Sequence, residues 1–142
     1  MHPREVRLLL LAALVAIATG VAAALQLAPP GQQLNPRIGP PAPARYEAVR
    51  EAQDWLNPYL QVCADGVHLT VHSIKRKSLV AIRDLGGTLV KLPVEAWPYG
   101  RVAALQECSV GVPGDTEVRR RRLVEVEAVL KALRLEVTRW PS

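Results

Sequence analysis

No phenylalanine occurs anywhere in the 142 residues, and aromatic side chains of all kinds supply only 4% of them. A core must therefore be built from Leu, Val, Ile and Ala, with Trp55, Trp97 and Trp140 as its bulky pieces. Cysteine is also scarce: Cys63 and Cys108 are too few for a disulfide framework, so the domain must rest on a hydrophobic core instead. Of three histidines, His2 precedes the long apolar run, while His68 and His72 share "HLTVH". That stretch reads as a strand, where a rise of roughly 3.3 Å per residue sets them about 13 Å apart. One metal cannot bridge that gap, and no metal or other cofactor is expected.

Charge is missing as well, from Leu8 to Leu27. Twenty residues at helical rise span about 30 Å, the thickness of a bilayer core. His2, Arg4 and Arg7 precede the run, which places residues 1–7 in the cytoplasm and everything after the span outside. Residues 8–27 thus read as a transmembrane signal-anchor in contact with membrane lipid. The competing reading is a secretory signal cleaved after Ala24, at Ala22-Ala23-Ala24, which would release a secreted protein. Either way the rest of the chain is exported. The abundance of Ala, Arg, Leu and Pro points to a bacterial source and hence a periplasmic domain on the cytoplasmic membrane.

A broad basic face is absent too. From Leu25 onward there are 16 basic and 12 acidic residues, and Arg119, Arg120, Arg121 and Arg122 equal that whole excess. Nucleic acid is therefore not an expected partner.

What is present begins with proline. Residues 28–45 are Pro-rich and read as an extended linker, reaching up to roughly 60 Å at about 3.1 Å per residue. Residues 46–142 then form the folded domain. "ARYEAVREAQDWL" reads as a short helix with Tyr46, Val49, Ala52 and Leu56 on one face, ended by Asn57-Pro58. In "PYLQVCADGVHLTVH", Asp65-Gly66 is the favoured pair for a two-residue turn between alternating strands. That turn sets Val62 against Leu69, Leu60 against Val71 and Cys63 against His68. "SLVA" is a candidate third strand. Ile82, Leu85, Leu89 and Leu92 keep helical spacing across Gly86-Gly87, and "YGRVAALQECSV" alternates as a strand with Val102, Ala104 and Cys108 inward. The last helix carries Leu123, Val126, Leu130 and Leu133, and "LEVTRW" closes as a strand. The order α-β-β-α-β-α-β predicts an α+β fold, with helices on one face of a mixed sheet.

Three groups are candidate sites. Cys63 beside His68 is the arrangement of an activated thiolate, the basis for a small exported enzyme or redox protein. Cys63 and Cys108 are set by their strand phases on opposite faces, which opposes a disulfide and leaves Cys108 a buried thiol. Arg119–Arg122 open a helix, where the dipole disfavours cations, and with Trp97 and Tyr99 of "WPYG" they are candidate contacts to an envelope protein or a second copy of the chain. Ionisable groups converge nowhere in the sequence, so a protein-interaction or scaffolding role is expected over catalysis.

After the apolar span, the hairpin at 59–72, helix at 82–92, strand at 100–110, helix at 117–134 and strand at 135–140 follow one another. That layout resembles the ExbD/TolR family of membrane-anchored transport accessory proteins, with one N-terminal span, a linker and a small periplasmic β-β-α-β-α-β domain. The family works through an aspartate within the span, which no position from Leu8 to Leu27 supplies. The resemblance implies a scaffold role without the proton-coupled step.

Overall fold

A computed structural model describes residues 32–109 and 115–141. The expected anchor and its cleavage site lie outside the described residues. No described helix is long and apolar enough to cross a membrane.

Five strands form one mixed sheet in the order β3-β2-β1-β4-β5. β1 (Tyr59–Cys63), β2 (Gly66–Val71) and β3 (Arg76–Val80) pair antiparallel, while β4 (Val102–Glu107) pairs parallel to β1 and to β5 (Glu136–Arg139). Helices α1 (Ile82–Val90) and α2 (Asp115–Ala132) bury Leu85, Leu89, Val126 and Leu130 in the same cluster as Leu60, Val62, Val67 and Leu69 of the hairpin. Both helices therefore cover one face of the sheet, as the apolar spacing predicts. Gly86-Gly87 lie inside α1 without breaking it. The third strand, only a candidate in the sequence, is formed in full.

The hairpin keeps a two-residue turn but moves it. Val62 pairs with Val67, Leu60 with Leu69 and Cys63 with Gly66, so Ala64-Asp65 make the turn and Gly66 enters the strand. Gly66 has φ +147°, and a Cβ there would stand 3.2 Å from the Val80 carbonyl and 3.1 Å from the Leu79 side chain. The glycine is needed where β3 crowds β2, not at the turn. A shift of two residues leaves every side chain on its expected face, so the apolar pattern is satisfied by both registers. His68 now stands opposite Gln61, not Cys63.

The helix expected after Pro43 does not form. Short 3₁₀ turns at Pro43–Arg45 and Ala52–Asp54 take its place. Tyr46 and Trp55 both pack on Tyr99, with ring centroids 5.6 and 5.0 Å away. Nine residues apart on an α-helix, those rings would point about 180° from one another. Joining both to one aromatic requires the segment to fold back on itself. With Tyr59, Val102, Ala104 and the partly buried Trp140, they form a second core on the helix-free face.

The linker expected at 28–45 is folded from Gln32, where the compact unit begins. Leu34 and Ile38 are buried in the main core. The Gly39 carbonyl accepts the Arg101 N–H at 3.0 Å, the Ala42 N–H donates to Tyr99 O at 2.9 Å, and Arg101 Nε donates to Ile38 O at 3.0 Å. Gly100, at φ +82°, has no room for a Cβ against the Pro40 carbonyl. Extended Pro-rich backbone has no partners of its own, so it serves as a strap as readily as a spacer.

Candidate functional site

The chemistry singled out in the sequence meets at the hairpin end of the sheet. β1 and β4 run parallel with Val62 beside Glu107, so the next residues, Cys63 and Cys108, are neighbours. They form a disulfide with Cα atoms 5.1 Å apart. The opposite-face expectation fails because β4 is an interior strand. Val102, Ala103, Ala104 and Leu105 are all fully buried, with Ala103 and Leu105 under the helices and Val102 and Ala104 in the aromatic cluster. Alternation carries no phase when both faces are covered. Cys108 therefore shares the helix-free side with Cys63.

The disulfide removes the thiol that nucleophilic chemistry at Cys63 requires. His68 pairs instead with the Asp65 carboxylate, 3.1 and 3.2 Å from its two oxygens, on the exposed outer face. Cys63, Asp65 and His68 place ligand-type atoms within 4.8 Å of one another. With the sulfur oxidised, only one carboxylate and one imidazole remain, too few to hold a metal.

The arginine run divides, because successive helical residues turn by about 100°. Arg119 is buried, its Nε 3.7 Å from Glu107 of β4 and its guanidinium donating to Thr116 Oγ1 at 3.3 Å. Arg122 reaches the hairpin and donates to the Cys63 carbonyl at 3.4 Å. Arg120 and Arg121 point into solvent, 3.7 and 3.8 Å from Glu117. Glu127 reaches Arg139 of β5. The expected patch of four thus presents two freely exposed guanidiniums, with Arg119 and Arg122 tying α2 to the sheet.

Trp97 and Tyr99 lie inside. Trp97 is 4% exposed in the main core, and Tyr99 is 5% exposed, its hydroxyl donating to Asp54 O and accepting from Leu56 N–H at 3.3 Å. Neither ring offers surface to a partner. Beside Tyr99, Asn57 is fully buried, donating to Gly100 O and Val102 O and accepting from Tyr99 N–H, each at 2.8 Å. In the sequence Asn57-Pro58 marks only the end of an element, and its clamping role has no local signal.

Surface hollows went unforeseen. One of about 560 Å³ opens on the aromatic side between Tyr46, Arg50, Trp55, Gln106 and Trp140. Burial pushes the Tyr46 hydroxyl above its ordinary pKa, helped by the carboxylates of Glu136 and Glu47. Burial also raises Tyr59, against a weaker lowering by Gln61. On the helix side, a hollow of about 460 Å³ beside Gln32 shares Ile82, Arg83 and Glu125 with one of about 480 Å³ at the hairpin tip. The two thus share a wall where α1 meets α2.

Comparison with protein-family models, with characterised proteins and with solved structures found no match to this chain.

Proposed function

We propose that the chain is a single-pass membrane protein, anchored through residues 8–27, whose disulfide-bonded α+β domain acts as an interaction or scaffolding module outside the cytoplasm. The Cys63–Cys108 disulfide carries this reading. Such bonds persist in oxidising compartments, and the apolar run with cations only on its near side leads to the same compartment by an independent argument. The contact role is supported by the open sheet: β3 and β5 are its edges among the described residues. An added strand from an envelope protein or a second copy would find backbone hydrogen bonds there. A narrower form of the proposal is an ExbD/TolR-like accessory subunit. It is supported by the order hairpin, helix, strand, helix, strand, and without a carboxylate in residues 8–27 its role would be scaffolding.

Thiol trapping in intact cells tests the compartment. Both cysteines should resist a membrane-impermeant maleimide until a reductant is added, and then both should be labelled. Free thiols reached only after the cells are permeabilised would place the domain in the cytosol and defeat the proposal. Mass spectrometry of the mature N-terminus decides between anchor and cleaved signal, since a chain starting at Leu25 is secreted.

A further inference from the structure

Four side chains of the metal-ligating kinds converge where the hairpin tip meets β4. The register sets Gly66 opposite Cys63 and His68 opposite Gln61, so His68 stands diagonally across from Cys63 on the helix-free side. Cys108 reaches the same sulfur from β4, and Asp65 comes from the turn itself. Cys63, Asp65 and His68 hold their donor atoms within 4.8 Å of one another, and Cys108 is bonded to the first of them.

The distances suit a tetrahedral ion. With metal–nitrogen and metal–oxygen bonds of about 2.0–2.1 Å, two such donors on one zinc ion stand roughly 3.3 Å apart. His68 Nε2 already lies 3.1 and 3.2 Å from the Asp65 oxygens, and both side chains are open to solvent. The oxidised pair lacks only sulfur ligands, because the thiolate and not the disulfide binds metal. Reduction supplies two. Zinc–thiolate bonds of about 2.3 Å put two sulfurs roughly 3.8 Å apart on one ion. Side-chain rotation spans that gap from neighbouring strands whose Cα atoms are 5.1 Å apart. Two thiolates and a carboxylate around a zinc ion leave one negative charge. The Arg122 guanidinium, which donates to the Cys63 carbonyl at 3.4 Å, offsets it.

We infer that Cys63, Cys108, His68 and Asp65 form a redox-gated zinc site, blocked while the cysteines are joined and competent once a dithiol reduces them. The dithiol gives up two electrons and two protons: its own S–S bond forms as the Cys63–Cys108 bond breaks, leaving two thiols. Zn2+ then takes both sulfurs as thiolates and releases the two thiol protons to solvent, while His68 binds as the neutral imidazole. The ion ties β2 and the turn to β4, where the disulfide ties only β1. The inference goes beyond the scaffolding reading and does not depend on the anchor.

The full chain in detergent, reduced with a phosphine and freed of the reagent without air, tests it by titration with Zn2+ against a chromogenic chelator. One zinc per chain should bind. Co2+ in its place should show a thiolate charge-transfer band and the intense visible bands of tetrahedral cobalt. His68→Ala and Asp65→Asn should each weaken binding by about tenfold or more, since loss of even an outer-shell partner costs about that much. His72→Ala, at an exposed residue outside the cluster, should leave it unchanged. The oxidised chain should bind no zinc until it is reduced. An affinity untouched by His68→Ala and Asp65→Asn means that the cysteines alone hold the ion, and overturns the site. Equal binding before and after reduction overturns the gate. A reduced, zinc-loaded chain with the tryptophan fluorescence of urea-unfolded protein overturns both. None of these results bears on the compartment, which maleimide labelling of intact cells decides separately.

Discussion

Asn57 gathers three backbone groups from a chain segment more than 40 residues away, and it has no contact with water. Asn57→Ala strips the buried Val102 carbonyl and the Tyr99 N–H of this partner, while the Gly100 carbonyl keeps the Val102 N–H. Each such group costs about 1–3 kcal/mol, so a loss of about 3 kcal/mol is expected, read as a lowered urea midpoint with unchanged slope. Tyrosine ionisation is the second residue-scale effect. Tyr46 and Tyr59 both hold their protons more tightly in the folded state than in the unfolded chain, whose tyrosines titrate near pH 10.0. Their contribution is thus complete below that pH, and it is lost as the pH rises through the folded values. Stability should fall with alkaline pH from about pH 10 upward, where unfolded tyrosine titrates. The double substitution Tyr46→Phe, Tyr59→Phe should flatten that fall, which pH-dependent urea titrations measure directly.

Among the elements, α1 carries an unusual burden in adjacent Gly86 and Gly87. Gly86 faces Gln32, whereas an added Cβ at Gly87 meets nothing within 4 Å. Gly87→Ala should therefore stabilise the domain by about 1 kcal/mol, through helix propensity and reduced freedom of the unfolded chain. Gly86→Ala must first displace the Gln32 amide and should give less, so thermal melts of the two variants should differ in that order. The amphipathic elements were readable because they have one dry side: α1, α2 and the final strand lie where the apolar spacing puts them, and the hairpin keeps its expected faces though its register moves by two residues. β4 has two dry sides, so its phase was misread and the disulfide with it. The segment from Pro43 to Leu56 had plausible helical spacing, but its two rings were claimed by a single tyrosine.

For the molecule as a whole, the strap from Gln32 to Ala42 matters most. It supplies Leu34 and Ile38 to the main core, each contributing about 1.5–3 kcal/mol by burial. A chain beginning at Tyr46, where the sequence places the domain boundary, should lose about 4 kcal/mol or fail to fold. Urea unfolding against a chain beginning at Gln32 measures this, and equal midpoints would show that the strap is dispensable. Of the expected sites, the arginine run was visible as a run, but its division was not. Which side of α2 meets Glu107, the hairpin or solvent depends on how the helix is rotated against the sheet.

Composition and apolar periodicity alone determined that this is a small α+β domain behind an uncharged apolar run of sequence, with a hairpin, two one-sided helices and a closing strand. Local spacing suffices there because each element answers to a single boundary between core and water. Tertiary packing alone decided the partnership of Cys63 with Cys108, the aromatic cluster on the second face and the burial of the Pro-rich strap. Those joins connect distant parts of the chain, and only strand pairing and the volume left between packed elements select them.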